Sequence, residues 1–321
     1  MENIDFKDVK SIIQSMKKGI QEYRNSDKYK EMLDNMAKFY NYSYMNCLLI
    51  KSQKPDATYC GSMKFWNSLG RYVSKGEKGI KILCPNFKAI QTELKDENGN
   101  TLLDKNGNPK TEEETILSFS VGNTFDISQT YGKELNVQLK ELSGEGLGVS
   151  NLITVMQEIS GVNQIKIKNV TNGAKGYFDT IRNEIVLKDG MSDLQMSKTL
   201  VHETAHALVF FDKELAKTMN IEEHKIISES VAYVVCKRFE LDTSEYSFNY
   251  INSWANSDDE KIEKCIDCIS KTSKTIISQM ESKLNLKSEI TTQKESYIST
   301  KKENSKTYRR VEKSMQQEIR Q

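Results

Sequence analysis

Two of the three histidines in the chain, His202 and His206, stand four residues apart with Glu203 beside the first. On a helix of about 3.6 residues per turn, positions i and i+4 share a face, so both imidazoles address one point. Leu200, Val201, Ala205, Leu208, Val209 and Phe210 surround them and predict a buried helix. Buried histidines and a buried carboxylate need partners. A divalent ion, Zn2+ above all, supplies one: it acidifies water and polarises a carbonyl, while Glu203 serves as general base in peptide-bond hydrolysis. Two core histidines without a metal are the plainer reading, but that reading leaves Glu203 without a role. Ser192 followed by Gln195 predicts a capping box, and the helix is expected over about 193–211.

A zinc site needs a third protein ligand. Glu222, Glu223, His224 and Glu229 are the candidates, all within a second predicted helix at about 221–239. Asn220 and Glu223 read as a cap and its reciprocal partner, and acids in a first turn are favourable there in any case. Glu229 falls within the apolar stripe of Ile226, Ala232 and Tyr233, where a lone carboxylate is costly and an ion opposite would satisfy it. Glu229 is therefore preferred to His224. The expected site is His202, His206 and Glu229 as metal ligands, with Glu203 as the catalytic group.

The remainder of the 321 residues is long enough for a second domain and a tail. Residues 5–50 read as helical, interrupted near Tyr40–Ser43, with Pro55 beyond their end. Residues 63–69 form a short helix, residues 70–85 alternate as strands around Gly76 and Gly79, and 118–127 is a further strand. The polar stretch 91–113 carries two Asn-Gly turns; its glycines fall at the wrong position for a calcium loop. Helix 152–159, strand 165–167 and a hairpin of 176–178 with 184–187 precede the histidine helix, and another helix is expected over 258–284. Beyond about 285 the chain is polar and basic, with the composition of disorder.

Six scattered cysteines in so long a chain suit reduced thiols, and Cys265–Cys268, a solitary CxxC within a helical pattern, gives little reason for a metal or redox site. No apolar run approaches the roughly 18 residues that a membrane span requires. The first residues lack a basic-then-apolar leader, so a cytoplasmic protein without membrane partners is expected. Lys and Arg outnumber Asp and Glu over residues 1–90 and again after residue 260, while acids prevail between. Basic ends suit a polyanionic partner, although solvated helix faces give the same count.

Several motifs in sequence order carry a family resemblance. Residues Tyr42-Ser43-Tyr44-Met45-Asn46-Cys47-Leu48-Leu49-Ile50, then Lys54–Thr58, Gly70–Ile80 and Phe125–Thr130, look like the N-terminal domain of ArdC-type antirestriction proteins. Glu229–Cys236 is similar to the helix that supplies the glutamate in the zincin-like domain of the same proteins. The resemblance covers roughly 5–285. It implies a mobile-element protein, associated with plasmid conjugation, that binds single-stranded DNA and carries a metallopeptidase domain; the 91–113 insertion and the basic tail depart from the pattern.

The residues themselves suit such a role. Aromatic platforms and cations are what single-strand binding needs, and Tyr42, Tyr44, Trp66, Arg71, Lys75 and Lys78 are the expected DNA contacts. Aromatics at this spacing also serve as core, and Lys75–Gly79 also reads as an ordinary basic turn. The resulting expectation is an α+β chain: a DNA-binding domain over 1–145, a minimal zincin fold over 150–285 and a disordered tail over 286–321. Its partners would be single-stranded DNA and a protein or peptide substrate, on that DNA or free of it. Two rivals remain: a DNA-shielding protein with a structural zinc, and a regulatory peptidase of the ImmA/IrrE kind that cleaves a repressor.

Overall fold

The computed structural model describes residues 4–95, 100–104, 107–135, 149–170, 173–212, 217–244, 246, 248 and 258–286. The tail read at 286–321 and the first Asn-Gly turn, at 98–99, lie outside these residues apart from Leu286. The architecture is α+β, as expected. Among the described residues no helix is long and apolar enough to cross a membrane.

The N-terminal helices are α1 (Val9–Gly19), α2 (Ser26–Lys38) and α3 (Tyr44–Gln53). The sequence reads as one helix through residue 39, but the chain breaks at Asn25. Its backbone is extended there, and its side chain accepts from the N–H groups of Asp27 and Lys28. Local capping by a short polar side chain outcompetes continuation of the helix.

A two-residue strand β1 (Cys60–Gly61), helix α4 (Met63–Ser68) and strand β2 (Arg71–Val73) lead into a long antiparallel ribbon of β3 (Ile80–Glu93) and β4 (Thr111–Asp126). Pairing runs without interruption from Ile80↔Thr124 to Glu93↔Thr111. The polar 91–113 stretch, expected as turns, therefore lies partly within the ribbon. Helix α3 holds its base through two amides. Asn46 pairs with both backbone groups of Leu83, at 2.8 and 2.9 Å, and Gln53 does the same with Lys81. Each amide stands in for the neighbouring strand that this edge lacks. Among the described residues strand β5 (Thr130–Gly132) pairs only with β2.

After α5 (Val149–Ser160), a three-stranded sheet has the order β6-β8-β7, with β6 (Gln164–Lys168) parallel to β8 (Glu184–Lys188) and β7 (Gly176–Asp179) antiparallel at the edge. Three helices follow: α6 (Asp193–Phe211), α7 (Ile221–Arg238) and α8 (Asp259–Lys283). Asn220 and Glu223 form the reciprocal capping box at the start of α7. At the start of α6 only half of the expected box exists. Ser192 accepts from the Gln195 N–H, but the Gln195 side chain turns to Lys175 and Thr199 instead. Helix α8 ends with Asn285 at φ 52°, and the Leu286 N–H returns to the Glu281 carbonyl, so Leu286 is fully buried rather than part of a tail.

One apolar cluster joins the two halves. Ile12, Met16, Tyr29, Leu33 and Leu49 from α1–α3 share it with Leu200, Val201, Val231, Val235, Ile269 and Ile277 from α6–α8. Two smaller clusters, one around Phe39, Cys47 and Ile80 and one around Phe65, Trp66 and Phe125, lie within residues 1–145. Polar contacts reinforce the junction: Tyr29 Oη meets Ser230 Oγ at 2.7 Å, Tyr233 donates to Asp34 at 2.8 Å and Tyr44 to Glu263 at 2.7 Å. Among the described residues its one fully buried charge is Glu281. This residue accepts from Arg238 Nε and Nη2 at 3.0 and 2.8 Å and from Tyr40 Oη at 2.5 Å, with the guanidinium 4.7 Å from the Tyr40 ring centroid. Glu281→Leu leaves Arg238 buried without its counter-charge and should cost about 3–5 kcal/mol in urea unfolding, whereas Arg238→Leu/Glu281→Leu should cost clearly less. Equal losses in the two variants would show that the pair is not a coupled unit.

Candidate metal centre and nucleic-acid interface

Helix α6 is buried along most of its length, including Leu200, Val201, Ala205, Ala207 and Val209. Its polar stripe of His202, Glu203 and His206 meets Glu229 of α7 and Phe178 of the edge strand β7. There His202 Nε2 and His206 Nε2 come within 3.0 Å of each other, with the rings edge to face at a centroid separation of 4.7 Å. Burial holds both imidazoles below their ordinary pKa. For His206 the fall, to about 3, is aided by His202, Lys225 and His224. For His202 the nearby Glu229 partly opposes the shift, and Lys225 adds to it. Both rings are therefore neutral near pH 7 and can offer lone pairs.

Glu203 is 7% exposed. Burial raises its carboxyl to about 7, opposed by the backbone N–H of Phe178 on β7 and assisted by the Glu229 charge. A carboxyl poised near neutrality can take a proton and return it. The structure thus brings Glu203 to the same stripe as the two histidines.

Two nitrogens bound tetrahedrally at about 2.0–2.1 Å from one zinc ion stand about 3.3 Å apart, close to the separation seen here. The donor chemistry of His202 and His206 therefore fits a divalent ion. The third position is less defined. Glu229 Oε2 lies 3.8 Å from His202 Nδ1, the ring nitrogen that faces away from His206. Among the described residues no three His, Cys, Asp or Glu side chains converge on one point. His224 is also near, lining the cleft next to His206.

Two cavities meet at Glu203. One, of about 970 Å³, is lined by Phe178, Phe210, Met219, His206 and His224. The other, of about 340 Å³, is lined by Thr199, His202, Glu229 and Tyr246. Gly176 lines both, and a Cβ there would lie 2.7 Å from Thr199 and 2.9 Å from the Val186 carbonyl. Only glycine lets β7 approach α6 this closely. The Phe178 N–H contact with Glu203 depends on that approach, and no sequence motif announced it.

The six residues expected to touch DNA divide into two groups. Tyr44 and Trp66 belong to the core, at 5% and 0% exposure, and Trp66 Nε1 donates to the Phe125 carbonyl. The Tyr42 hydroxyl donates to the Cys60 carbonyl at 2.9 Å and lies 3.1 Å from Thr124 Oγ1. The Arg71 guanidinium donates to Thr130 Oγ1, the Thr130 carbonyl and the Lys133 carbonyl. These four side chains build the scaffold: Tyr44 and Trp66 are buried, and three of the five Arg71 N–H donors are taken up by backbone and Thr130. Lys75 and Lys78 are exposed, in the turn between β2 and β3. Sequence reasoning missed Tyr131, which the structure places opposite Tyr72 on the surface.

Residues 5–125 match the model of the N-terminal domain of anti-restriction factor ArdC. An uncharacterized protein of Bacillus anthracis, pXO2-81, is 29% identical over 315 residues, covering 87% of this chain and 52% of its own length. The chain thus spans about half of that curated relative. Two crystal structures of the antirestriction ArdC protein from plasmid R388 resemble it in outline. The metal-free form is 18% identical with a TM-score of 0.44, covering 76% of this chain and 85% of that one. The Mn(II)-bound form is 17% identical with a TM-score of 0.40, covering 78% and 97%. Over residues 5–125, then, the chain is similar to the N-terminal domain of the ArdC antirestriction family.

Proposed function

We propose that this protein is an antirestriction factor of a mobile element, one that binds single-stranded DNA and hydrolyses peptide bonds at a metal centre on α6. The observation that carries the hydrolytic part is the approach of two neutral imidazoles to 3.0 Å beside the buried Glu203, where two cavities meet. His202 and His206 would hold the ion with Glu229 as third ligand, and Zn2+ is the ion that such a donor set suits. When bound, it supplies Lewis acidity to a scissile carbonyl and acidifies water. Glu203 takes the proton of the attacking water at a carboxylate oxygen and passes it to the leaving amine. The Phe178 N–H orients that carboxylate, and the apolar wall of Phe178, Phe210 and Met219 would receive a substrate side chain and exclude bulk water.

The DNA-binding part draws on the ArdC N-terminal domain and on the exposed Lys75 and Lys78. A second reading, a DNA shield whose metal only supports the fold, would need four protein ligands at the ion, and among the described residues no such set converges. Cleavage of a repressor has no comparable support.

Three outcomes test the proposal. Purified chain dialysed against Zn2+ should retain one ion, and His202→Ala/His206→Ala should retain none by elemental analysis; metal retention by the double variant would move the site elsewhere. Glu203→Gln should keep the ion but lower cleavage of a denatured-protein substrate by about 10²–10⁴-fold. Equal cleavage by Glu203→Gln and the parent would refute its role as base, and loss of cleavage with intact protection of DNA in cells would favour the shield. The full chain should also bind labelled oligothymidylate with an affinity that falls steeply with salt; a chain that shows no such affinity contradicts the DNA-binding part.

A further inference from the structure

The scaffold made by Arg71 and Trp66 displays a surface of its own. Strands β2 and β5 pair over Arg71↔Gly132, Tyr72↔Tyr131 and Val73↔Thr130. Val73 packs inward on the cluster of Phe65, Trp66, Leu69 and Phe125. By strand alternation Tyr72 points the other way, and its partner Tyr131 does the same. They are 50% and 60% exposed, with ring centroids 5.9 Å apart and planes tilted by 43°. The two rings are neighbours without being stacked face to face.

So short a sheet would be mobile without support, and this one is braced at three points. Arg71 ties β2 to β5 through its three bonds to Thr130 and Lys133. Gly132, at φ +122°, brings the strands together where a Cβ would meet the Gly70 carbonyl at 2.4 Å. Gln129 Nε2 donates to the Lys78 carbonyl and to Glu77, both at 2.9 Å, and fixes the turn that continues from β2. This last contact occupies the acid of the turn and leaves Lys75 and Lys78 exposed on either side of it in sequence. Two half-exposed aromatic rings on a braced frame, with exposed lysines three and six residues along the chain from Tyr72, match what an unpaired nucleic-acid strand requires: flat apolar surface for bases and cations for phosphates. A rigid display also reduces the ordering cost on binding.

We propose that Tyr72 and Tyr131 are the base-stacking platform of the single-stranded DNA site, with Lys75 and Lys78 contacting the adjacent phosphates. This rests on the reading that the protein binds single-stranded DNA. The frame of Arg71, Trp66, Gly132 and Gln129 positions the platform and does not touch the strand.

The test is fluorescence anisotropy of labelled oligothymidylate with the full chain at several salt concentrations. Tyr72→Ala/Tyr131→Ala should weaken binding by about tenfold or more with an unchanged salt slope, and Tyr72→Phe/Tyr131→Phe should restore most of it. Lys75→Ala/Lys78→Ala should instead flatten the slope of log K against log salt by about 1.4, the value for two lost contacts on a single strand. Circular dichroism and thermal melts of the alanine variants should match the parent, since all four side chains are at least half exposed or in a surface turn. Parent affinity retained by the tyrosine-to-alanine pair overturns the platform while leaving DNA binding intact. No affinity in the parent overturns the DNA-binding reading, and the platform with it.

Discussion

Helix α7 is fixed by polar contacts that leave it little freedom to slide. At its start the capping box closes on Glu223, which also accepts from Lys261 of α8 at 2.7 Å. In its middle Ser230 and Tyr233 meet Tyr29 and Asp34 of α2. At its end Arg238 is bound to the fully buried Glu281. Each is a directional contact in a region where an unmatched partner is costly. Glu229 sits on this helix, one residue before Ser230, so its height and rotation relative to His202 are set by contacts to the N-terminal helices as well as by packing on α6. The candidate metal centre and the N-terminal half are parts of one mechanical unit.

That unity explains a feature of the sequence that composition alone obscures. The N-terminal helices are amphipathic, as Ile12, Met16, Ile20 and Met32 show, but their apolar faces are not satisfied by the β3–β4 ribbon. They complete a core whose other wall is α6–α8. The ribbon is held by different means, the backbone-mimicking amides of Asn46 and Gln53 and a small cluster around Phe39, Cys47 and Ile80. Strong packing therefore surrounds the histidine stripe, and the surface elements near β2 and β5 rest on the small cluster of Phe65, Trp66, Leu69 and Phe125 together with hydrogen bonds.

What could be read from the sequence follows the range of the interactions. The histidine helix was legible because i, i+4 spacing is a local property and the flanking apolar residues announce burial. The cap at Asn220 was legible for the same reason. The long ribbon was not, because pairing of Ile90 with Glu114 is a non-local fact and polar strand residues look like loop. The scaffold roles of Arg71 and Trp66 were not legible for a related reason: residue type tells that a guanidinium or an indole N–H needs acceptors, but not that Thr130 and Phe125 supply them from distant elements. Tyr131 escaped notice because nothing local distinguishes it from a core tyrosine such as Tyr29, which is fully buried. The Glu203–Phe178 contact likewise needed Gly176 to bring a distant strand to the helix.

On the proposed function, the stripe on α6 is a metal-binding device rather than a pair of core histidines. X-ray absorption at the zinc edge of the Zn2+-loaded full chain tests it most directly, since it reports the donors themselves. The account predicts an inner shell containing two imidazole nitrogens together with oxygen donors, and the loss of the imidazole signature in His202→Ala/His206→Ala. A shell without histidine, or one containing thiolate sulfur, would contradict it.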